Sequence, residues 1–518
     1  MLQIKNCKLT HKKDLRVILD NFKLTLNYGD KAVLIGEEGN GKSTLLKWIY
    51  DPELVDNYVE AEGERIINEE RLGYLPQELP DEDKDKTVYE YFSEQEAFYD
   101  KSPKELNELA HQFGMPEDIF YNDVTMINLS GGEKIKVQLM RLFMGQPTVL
   151  LLDEPSNDID LDTLHLLESV LRDYEYIVLY ISHDEMLIEK TANMVIHIEQ
   201  ICRKTKSKYT VAKQSYEQYI ETRQNQYDKQ EQEALNDRRA KAIREEKYRR
   251  LLQKVEHAQA GVSRQDPSIG KNLKDKMHSV KAMGKRFERL DQNMTEMPEQ
   301  EEAIYFKIGG KGSYIPSGKT VIDFSLDTLY TQDQNRILAK NIQFILRGNV
   351  KMCIIGKNGC GKTTLLKKIA KELCERNDIH AEYMAQNYED QLNLDVTPID
   401  YLDQSGDKEE RTRIRTYLGS LKFTADEMNH PIKELSGGQK AKVLLLRMSL
   451  SGANVLILDE PTRNFSPLSC PVIRRMLKDF EGAIISISHD RKYIKEVCDE
   501  VYQLNSEGLK KAGEEEWN

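Results

Sequence analysis

The sequence predicts an α/β protein in which two parallel-sheet lobes flank a long helical hairpin. Three observations lead there. Four short motifs occur twice in the same order, once between Ile35 and Asp184 and again between Ile355 and Asp490. The uninterrupted apolar runs Val149–Leu152 and Val455–Leu458 read as strands buried on both faces of a parallel sheet. Between the copies, a run from about Ser215 to Gln259 has no Pro or Gly and is dominated by Glu, Gln, Lys, Arg and Ala, a helix-favouring mixture.

The first lobe opens with a short apolar strand, Val33 to Ile35, that runs into IGEEGNGKSTLLK (Ile35 to Lys47). The GxxxxGK[ST] pattern within it puts Gly36, Gly39, Asn40, Gly41, Lys42, Ser43 and Thr44 on a loop entering a helical stretch, Ser43 to Tyr50. Glycines let main-chain N–H groups turn inward on phosphate oxygens, and the helix adds its positive N-terminus. Lys42 is expected to neutralise the β- and γ-phosphates of a nucleoside triphosphate, and Ser43 to ligate Mg²⁺. At the end of the apolar strand, Asp153 suits a direct or indirect magnesium contact. The adjacent Glu154 sits where a carboxylate polarises an attacking water.

The middle segment comes next. At about 1.5 Å per residue its first helix would extend roughly 65 Å. Gly261 to Gly270 is a loop bracketed by glycines with a proline inside. A second helix is expected from about Lys271 to Asp291, with Leu273, Met277, Val280, Met283 and Phe287 at helical spacing as a seam against the first. The result is an antiparallel hairpin whose exposed tip is Val262, Ser263, Arg264, Gln265, Asp266, Pro267, Ser268 and Ile269. From Arg203 to Leu290 there are 23 Lys/Arg against 12 Asp/Glu, a balance of +11 that leaves the rest of the chain at −24 for a net charge of −13. Such a contrast points to a polyanionic partner such as a nucleic-acid backbone. Charge alone fits a solvated helix equally well.

The second lobe repeats the first. IGKNGCGKTTLLK (Ile355 to Lys367) supplies Gly356, Gly359, Cys360, Gly361, Lys362, Thr363 and Thr364, and VLILDEPT supplies Asp459 and Glu460. LSGGEK (Leu129 to Lys134) recurs as LSGGQK (Leu435 to Lys440), and ISHD ending at Asp184 recurs as ISHD ending at Asp490. Ser130 to Glu154 and Ser436 to Glu460 both span 24 positions; Glu154 to His183 and Glu460 to His489 both span 29. Matching order and spacing identify a tandem duplication with an insert. The expected division is 1–205, 206–303 and 304–518.

Composition excludes several classes. With 39% hydrophobic and 31% charged residues the chain reads as globular, and no stretch approaches the roughly 20 apolar residues that cross a bilayer. Met1 to Thr10 lacks the apolar core of a secretory signal. The seven cysteines form no CxxC, so no zinc or iron–sulfur site is indicated, and a reducing cytoplasm is the expected location.

LSGG between the phosphate loop and LLLDEP, with SHD after it, resembles the ATP-binding cassette superfamily. The fold class is then two P-loop ATP-binding cassette domains joined by a long α-helical hairpin linker, with ATP and Mg²⁺ as cofactors. The resemblance implies that Ser130, Gly131 and Gly132 complete the site of Lys362, and that Ser436, Gly437 and Gly438 complete that of Lys42. Gln77 and Gln386 match the family's magnesium-sensing glutamine, and His183 and His489 its switch histidine, which acts with Glu154 and Glu460 in catalysis. Two departures break the symmetry. Asp160 stands in the first D-loop, whereas Ser466 replaces the aspartate in the second, with Arg463 and Phe465 intruding. Tyr330 lies 32 residues before Lys362 and is placed to stack on adenine, whereas the same offset from Lys42 reaches Thr10.

Two cassettes without membrane segments, joined by a basic hairpin, resemble the ABC-F family of translation factors. That resemblance implies a monomeric protein with no membrane, docking at the tRNA exit site of the 70S ribosome against 23S rRNA. Its linker would extend to the P-site tRNA near the peptidyl-transferase centre. Gln77 to Ser130 spans 53 positions against 50 in the second copy, so the first cassette carries no large arm. This and the PTRNFSP variant resemble the branch that protects bacterial ribosomes from antibiotics. The alternatives are a general translation factor relieving stalled ribosomes and the tandem ATPase subunit of a membrane importer.

Overall fold

The computed structural model describes every residue except 158, 202–205, 261–266, 292–293, 296, 298–312, 332–334, 404 and 518, and the side chains at 259, 267–270 and 516 are likewise left out. It divides into two units: Met1–Tyr216 with Glu301–Asn518, and Glu217–Gln300.

In the first unit, residues of alternating character from Leu2 onward pair into an antiparallel sheet. β1 (Leu2–His11) lies between β2 (Val17–Leu26) and β4 (Val59–Ile67). The main sheet of this lobe contains β3 (Lys31–Ile35), β5 (Leu72–Leu75), β6 (Val149–Asp153), β7 (Ile177–Ile181), β8 (Met194–Ile201) and β9 (Lys206–Ala212). Their order is β5-β6-β7-β3-β8-β9, parallel except for the last pair. β6 and β7 are buried at every position, which explains their unbroken apolar runs. β9 falls in the segment that charge places in the linker. Its Lys206 and Lys208 are exposed on an edge strand, where lysines discourage further pairing.

The second lobe repeats this plan. β10 (Thr320–Tyr330) and β11 (Ile337–Arg347) form an antiparallel pair. β12 (Lys351–Ile355), β13 (Ala381–Met384), β14 (Val455–Asp459), β15 (Ala483–Ile487), β16 (Glu500–Asn505) and β17 (Gly508–Lys511) form the main sheet in the order β13-β14-β15-β12-β16-β17. In each lobe an apolar core fills the space between the antiparallel strands, one face of the main sheet and the helix after the phosphate loop. Phe22, Trp48, Ile49 and Leu151 are in the first core, and Val321, Ile369, Leu373 and Ile457 in the second. Burial of each such side chain contributes about 1.5–3 kcal/mol. In both sheets the central strand, β3 or β12, runs directly into the phosphate loop. The crevice beyond the carboxyl ends of the parallel strands is therefore where a ligand belongs.

The second unit is a helical hairpin. Its first helix, Tyr216–Ala260, and its second, Pro267–Asp291, are antiparallel: Arg244 Nη2 bonds Asp291 Oδ1 at 2.8 Å, and one turn further along, Gly284 lies against the Tyr248 ring. The second helix begins before Lys271, because proline is well tolerated in a first helical turn. Val280 is buried, and Leu273, Met277, Met283 and Phe287 are half-buried, as a seam requires. Tip residues Val262, Ser263, Arg264, Gln265 and Asp266 lie outside the described residues, as do the side chains of Pro267, Ser268 and Ile269. No described helix is long and apolar enough to cross a membrane.

Candidate active site

Both phosphate loops take their shape from glycine. At Gly36 φ is +145°, and an added Cβ would stand 2.3 Å from the Ile198 carbonyl oxygen; at Gly356 φ is +150°, with the Leu504 oxygen at 2.6 Å. Neither position admits a side chain. The loops pass into helices Lys42–Tyr50 and Lys362–Cys374. Lys42 Nζ donates to the carbonyls of Gly36 and Glu37 at 2.8 and 3.0 Å, and Lys362 Nζ to those of Gly356 and Lys357 at 2.7 and 3.0 Å. Each ammonium is thus folded over its own loop, facing the position a phosphate chain would take.

The strand-end acids complete the pattern. Ser43 Oγ donates to Asp153 Oδ1 at 2.9 Å. The Oδ2 atoms of Asp153 and Asp459 are buried with no hydrogen bond among the described residues. Buried acceptors of this kind fit a divalent cation, which Ser43 with Asp153, and Thr363 with Asp459, would hold. When bound, Mg²⁺ supplies charge neutralisation on the phosphate chain. Burial raises the carboxyl of Asp153 to about 6, against the Ser43 hydroxyl and Lys42.

Glu154 and Glu460 both adopt left-handed backbone conformations, with φ of 51° and 54°. Strain of about 1–3 kcal/mol is tolerated where surrounding structure fixes a functional geometry. Their surroundings differ. Glu154 accepts from Gln77 Nε2 at 3.1 Å and from the Asn157 amide, and His183 Nε2 stands 3.1 Å from its Oε1. Burial opposes its charge, but His183, Lys42 and Asn157 outweigh it and hold the carboxyl at about 2. Glu460 is 3.7 Å from His489 Nε2 and accepts the His489 main-chain N–H at 3.2 Å. Here burial and then Asp459 dominate and push the carboxyl up to about 8. Burial and Lys362 depress the His489 imidazole to about 3. Near neutral pH Glu154 is therefore a carboxylate, whereas Glu460 and His489 are both neutral.

The signature serines are helix caps. Ser130 Oγ accepts from the Glu133 N–H at 3.3 Å, and Glu133 returns to the Ser130 N–H at 2.9 Å; Ser436 and Gln439 do the same at 3.3 and 3.0 Å. LSGGEK and LSGGQK are thus capping boxes opening helices Gly131–Met144 and Gly437–Ser451. Gly131 lines one cavity of about 940 Å³ together with Gly359, Gly361, Lys362, Thr363, Thr364, Gln386, Asp459, Glu460 and His489. The second phosphate loop and the first signature helix therefore face one space. Gly438, in turn, donates its main-chain N–H to Glu38 beside the first phosphate loop. Tyr330 ends β10 and is 42% exposed, and Thr331 next to it lines the same cavity.

A family profile described as "ABC transporter" matches residues 19–157 and 339–463. The chain belongs to the ABC transporter family. Its two cassettes make it an ABC-type ATPase. The putative ATP-binding protein YdiF of Bacillus subtilis is 27% identical over 94% of this ATPase and 78% of its own length. ATP-binding cassette sub-family F member 2 of Bos taurus is 27% identical over 95% and 79%. Among solved structures, the archaeal ribosome recycling factor aABCE1, in complex with the ribosomal stalk protein aP1, superposes with a TM-score of 0.61 at 17% identity. That match covers 99% of this chain and 91% of that one, and it is a likeness of fold.

Several residues of this ABC ATPase site escape motif reading. Asn157 binds Glu154, and the Phe465 carbonyl reaches His183 Nδ1 at 2.5 Å from the other lobe. Glu37 and Glu38 are visible as unusual acids in a phosphate loop, but nothing local announces their partners on the second signature helix.

Proposed function

We propose that this ATPase is a ribosome-binding protein of the ABC-F type. It docks at the tRNA exit site of the 70S ribosome, against 23S rRNA, and extends its hairpin to the P-site tRNA and the peptidyl-transferase centre. There it displaces antibiotics. Each catalytic site would hold Mg–ATP on Lys42 or Lys362, with Glu154 or Glu460 directing the water, His183 or His489 and Gln77 or Gln386 sensing the terminal phosphate and metal, and the opposite signature glycines closing on it.

One observation carries the reading: the outward basic face of the hairpin. Arg238, Arg239, Lys247, Arg249, Arg250, Lys254, Lys271, Lys274, Lys276, Lys281, Lys285 and Arg286 are all exposed. Such a rod suits phosphate backbones regardless of sequence. The ribosomal partners of the recycling factor and the sub-family F name of the bovine relative point the same way.

The test is sedimentation. A chain carrying Glu154→Gln and Glu460→Gln should bind ATP, fail to hydrolyse it and travel with 70S ribosomes, and rising salt should release it. An ATP-bound chain that stays free of ribosomes would sink the proposal. Replacing Val262 to Ile269 with a short Gly/Ser loop should preserve ATPase activity and abolish the ribosomal effect. A drug-susceptibility panel on expressing cells separates protection, which raises resistance, from general relief of stalling, which does not. Co-purification with a permease would favour an importer.

A further inference from the structure

The two phosphate loops meet the opposite lobe through opposite chemistry. The first loop carries Glu37 and Glu38 where the second carries Lys357 and Asn358. The Glu38 carboxylate accepts the main-chain N–H of Gly438, at the start of the 15-residue signature helix of the second lobe. Cβ atoms placed on Gly437 and Gly438 would each come within 3.2 Å of a Glu38 carboxylate oxygen, so the bare glycines admit this carboxylate. One turn further along that helix, Lys442 Nζ holds Glu37 Oε1 at 3.1 Å, with the two side chains only 11% and 21% exposed. Both acids of the first loop are therefore anchored across the lobes, one on a main-chain amide and one on an ammonium.

At the second loop the polarity is reversed. Lys357 Nζ reaches Asp162 Oδ2 at 3.3 Å across the lobes. Asp160 takes the Asn358 main-chain N–H. The carboxylate there comes from the D-loop and meets the phosphate loop. In the first site Ser466 replaces that aspartate, and the carboxylate comes from the phosphate loop and meets the signature helix.

The N-terminus of a helix presents unpaired N–H groups and a positive dipole end to whatever anion approaches. A terminal phosphate held on Lys42 and directed at the Gly437–Gly438 amides would find one amide engaged and a like charge beside it. A diphosphate reaches less far and meets neither. We propose that Glu38 is a specificity-determining residue of the first ATP site: it occupies the anion position at the second signature helix, so this site gains little from a terminal phosphate and binds nucleoside di- and triphosphates with nearly equal affinity. The inference rests on the assignment of the first phosphate loop to ATP.

The experiment uses the full chain with Lys362→Ala, which leaves the first site to be measured, and Glu154→Gln, which prevents turnover. ATP and ADP are titrated by equilibrium dialysis with residue 38 as Glu, Asn or Gln. The expected ATP-to-ADP preference is close to one with Glu38. It should rise about tenfold in E38N through tighter ATP, with ADP unchanged, as for loss of one charged competitor for a hydrogen bond. E38Q keeps an acceptor but no charge and should follow E38N. A preference unchanged by E38N, or E38Q behaving as Glu38 does, overturns the proposal. Folded protein that binds neither nucleotide overturns the first-site assignment, and the proposal with it.

Discussion

Replacement of Arg474 by Met tests whether buried charges hold the two lobes together. Arg474 is 3% exposed on the helix Cys470–Lys478, and its Nη1 stands 2.5 Å from Oε1 of Glu185 in the other lobe, itself 5% exposed. Nη2 adds a second contact at 3.3 Å, and Lys492 Nζ reaches the same carboxylate at 3.1 Å. Burial raises the Glu185 carboxyl, with Arg474 and Lys492 opposing that rise. Removing one member of a buried pair costs about 3–5 kcal/mol, because the other is left charged and dry. Lys492 remains, so the expected loss is at the lower end, about 3 kcal/mol. Glu185→Leu should cost a similar amount, since the remaining ion-pair partner of Arg474 among the described residues, Glu496, is 46% exposed. The double variant leaves no stranded partner of the pair, so the losses should fall short of additivity by about 2 kcal/mol. The assay is urea unfolding. Trp48 and Trp517 are the two tryptophans, one in each lobe, so Trp→Phe variants report the lobes separately. Single losses that add to within about 0.5 kcal/mol would refute the coupling.

Other outcomes follow from the same geometry. Gly36→Ala should drive a Cβ into the Ile198 carbonyl and lower bound nucleotide from two per chain to one, measured by dialysis. Gly284→Leu places its Cβ within about 3 Å of the Tyr248 ring and should destabilise the hairpin by about 1–3 kcal/mol, visible as faster proteolysis between the helices. Arg491→Met should be costly near neutral pH and nearly silent in acid. Arg491 binds Glu168, which also faces Lys190 and His165, and stands 3.6 Å from Asp184. Glu168 is held below its usual 4.5, with Arg491 and Lys190 outweighing burial, so its share is present above pH 4.5 and lost as pH falls below it. Burial raises Asp184 to about 6 even though Arg491 opposes that rise, so without Arg491 its carboxyl stays protonated to still higher pH and its uncompensated charge is the first to disappear as pH falls. A penalty equal at pH 7.5 and pH 4 would contradict this assignment.

What the sequence shows is local chemistry. The phosphate loops, the strand-end acids and the capping boxes each occupy a window of a few residues, and their residue types are dictated by backbone conformation and phosphate charge. The hairpin is legible for the same reason: its long Pro-free run and the seam of Met277, Val280 and Phe287 record a helix period. Charge counting misleads at Lys206 and Lys208, because an edge strand and a solvated helix both favour lysine. Contacts between lobes leave no periodic trace. Glu38 meets Gly438 across 400 positions and Glu185 meets Arg474 across 289, and neither partner selects the other by spacing.

Those invisible contacts make the two sites interdependent. His183 stands two positions before Glu185, and His489 two before Arg491, so each site's histidine is attached to a helix that pairs across the lobes. His183 goes further: its two ring nitrogens face the Glu154 carboxylate in its own lobe and the Phe465 carbonyl in the other. Both are acceptors, so the ring spans the lobes between the catalytic carboxylate and the second D-loop. Among the described residues His489 makes no such bridge: Glu460 stands 3.7 Å away, and the His489 Nδ1 is buried without a hydrogen-bond partner there. A shift of the second D-loop, which carries Phe465, therefore reaches Glu154 directly. A shift of the first D-loop reaches Glu460 through the field of Asp160 on His489. Coupling between the sites should accordingly be stronger from the second lobe to the first than in reverse.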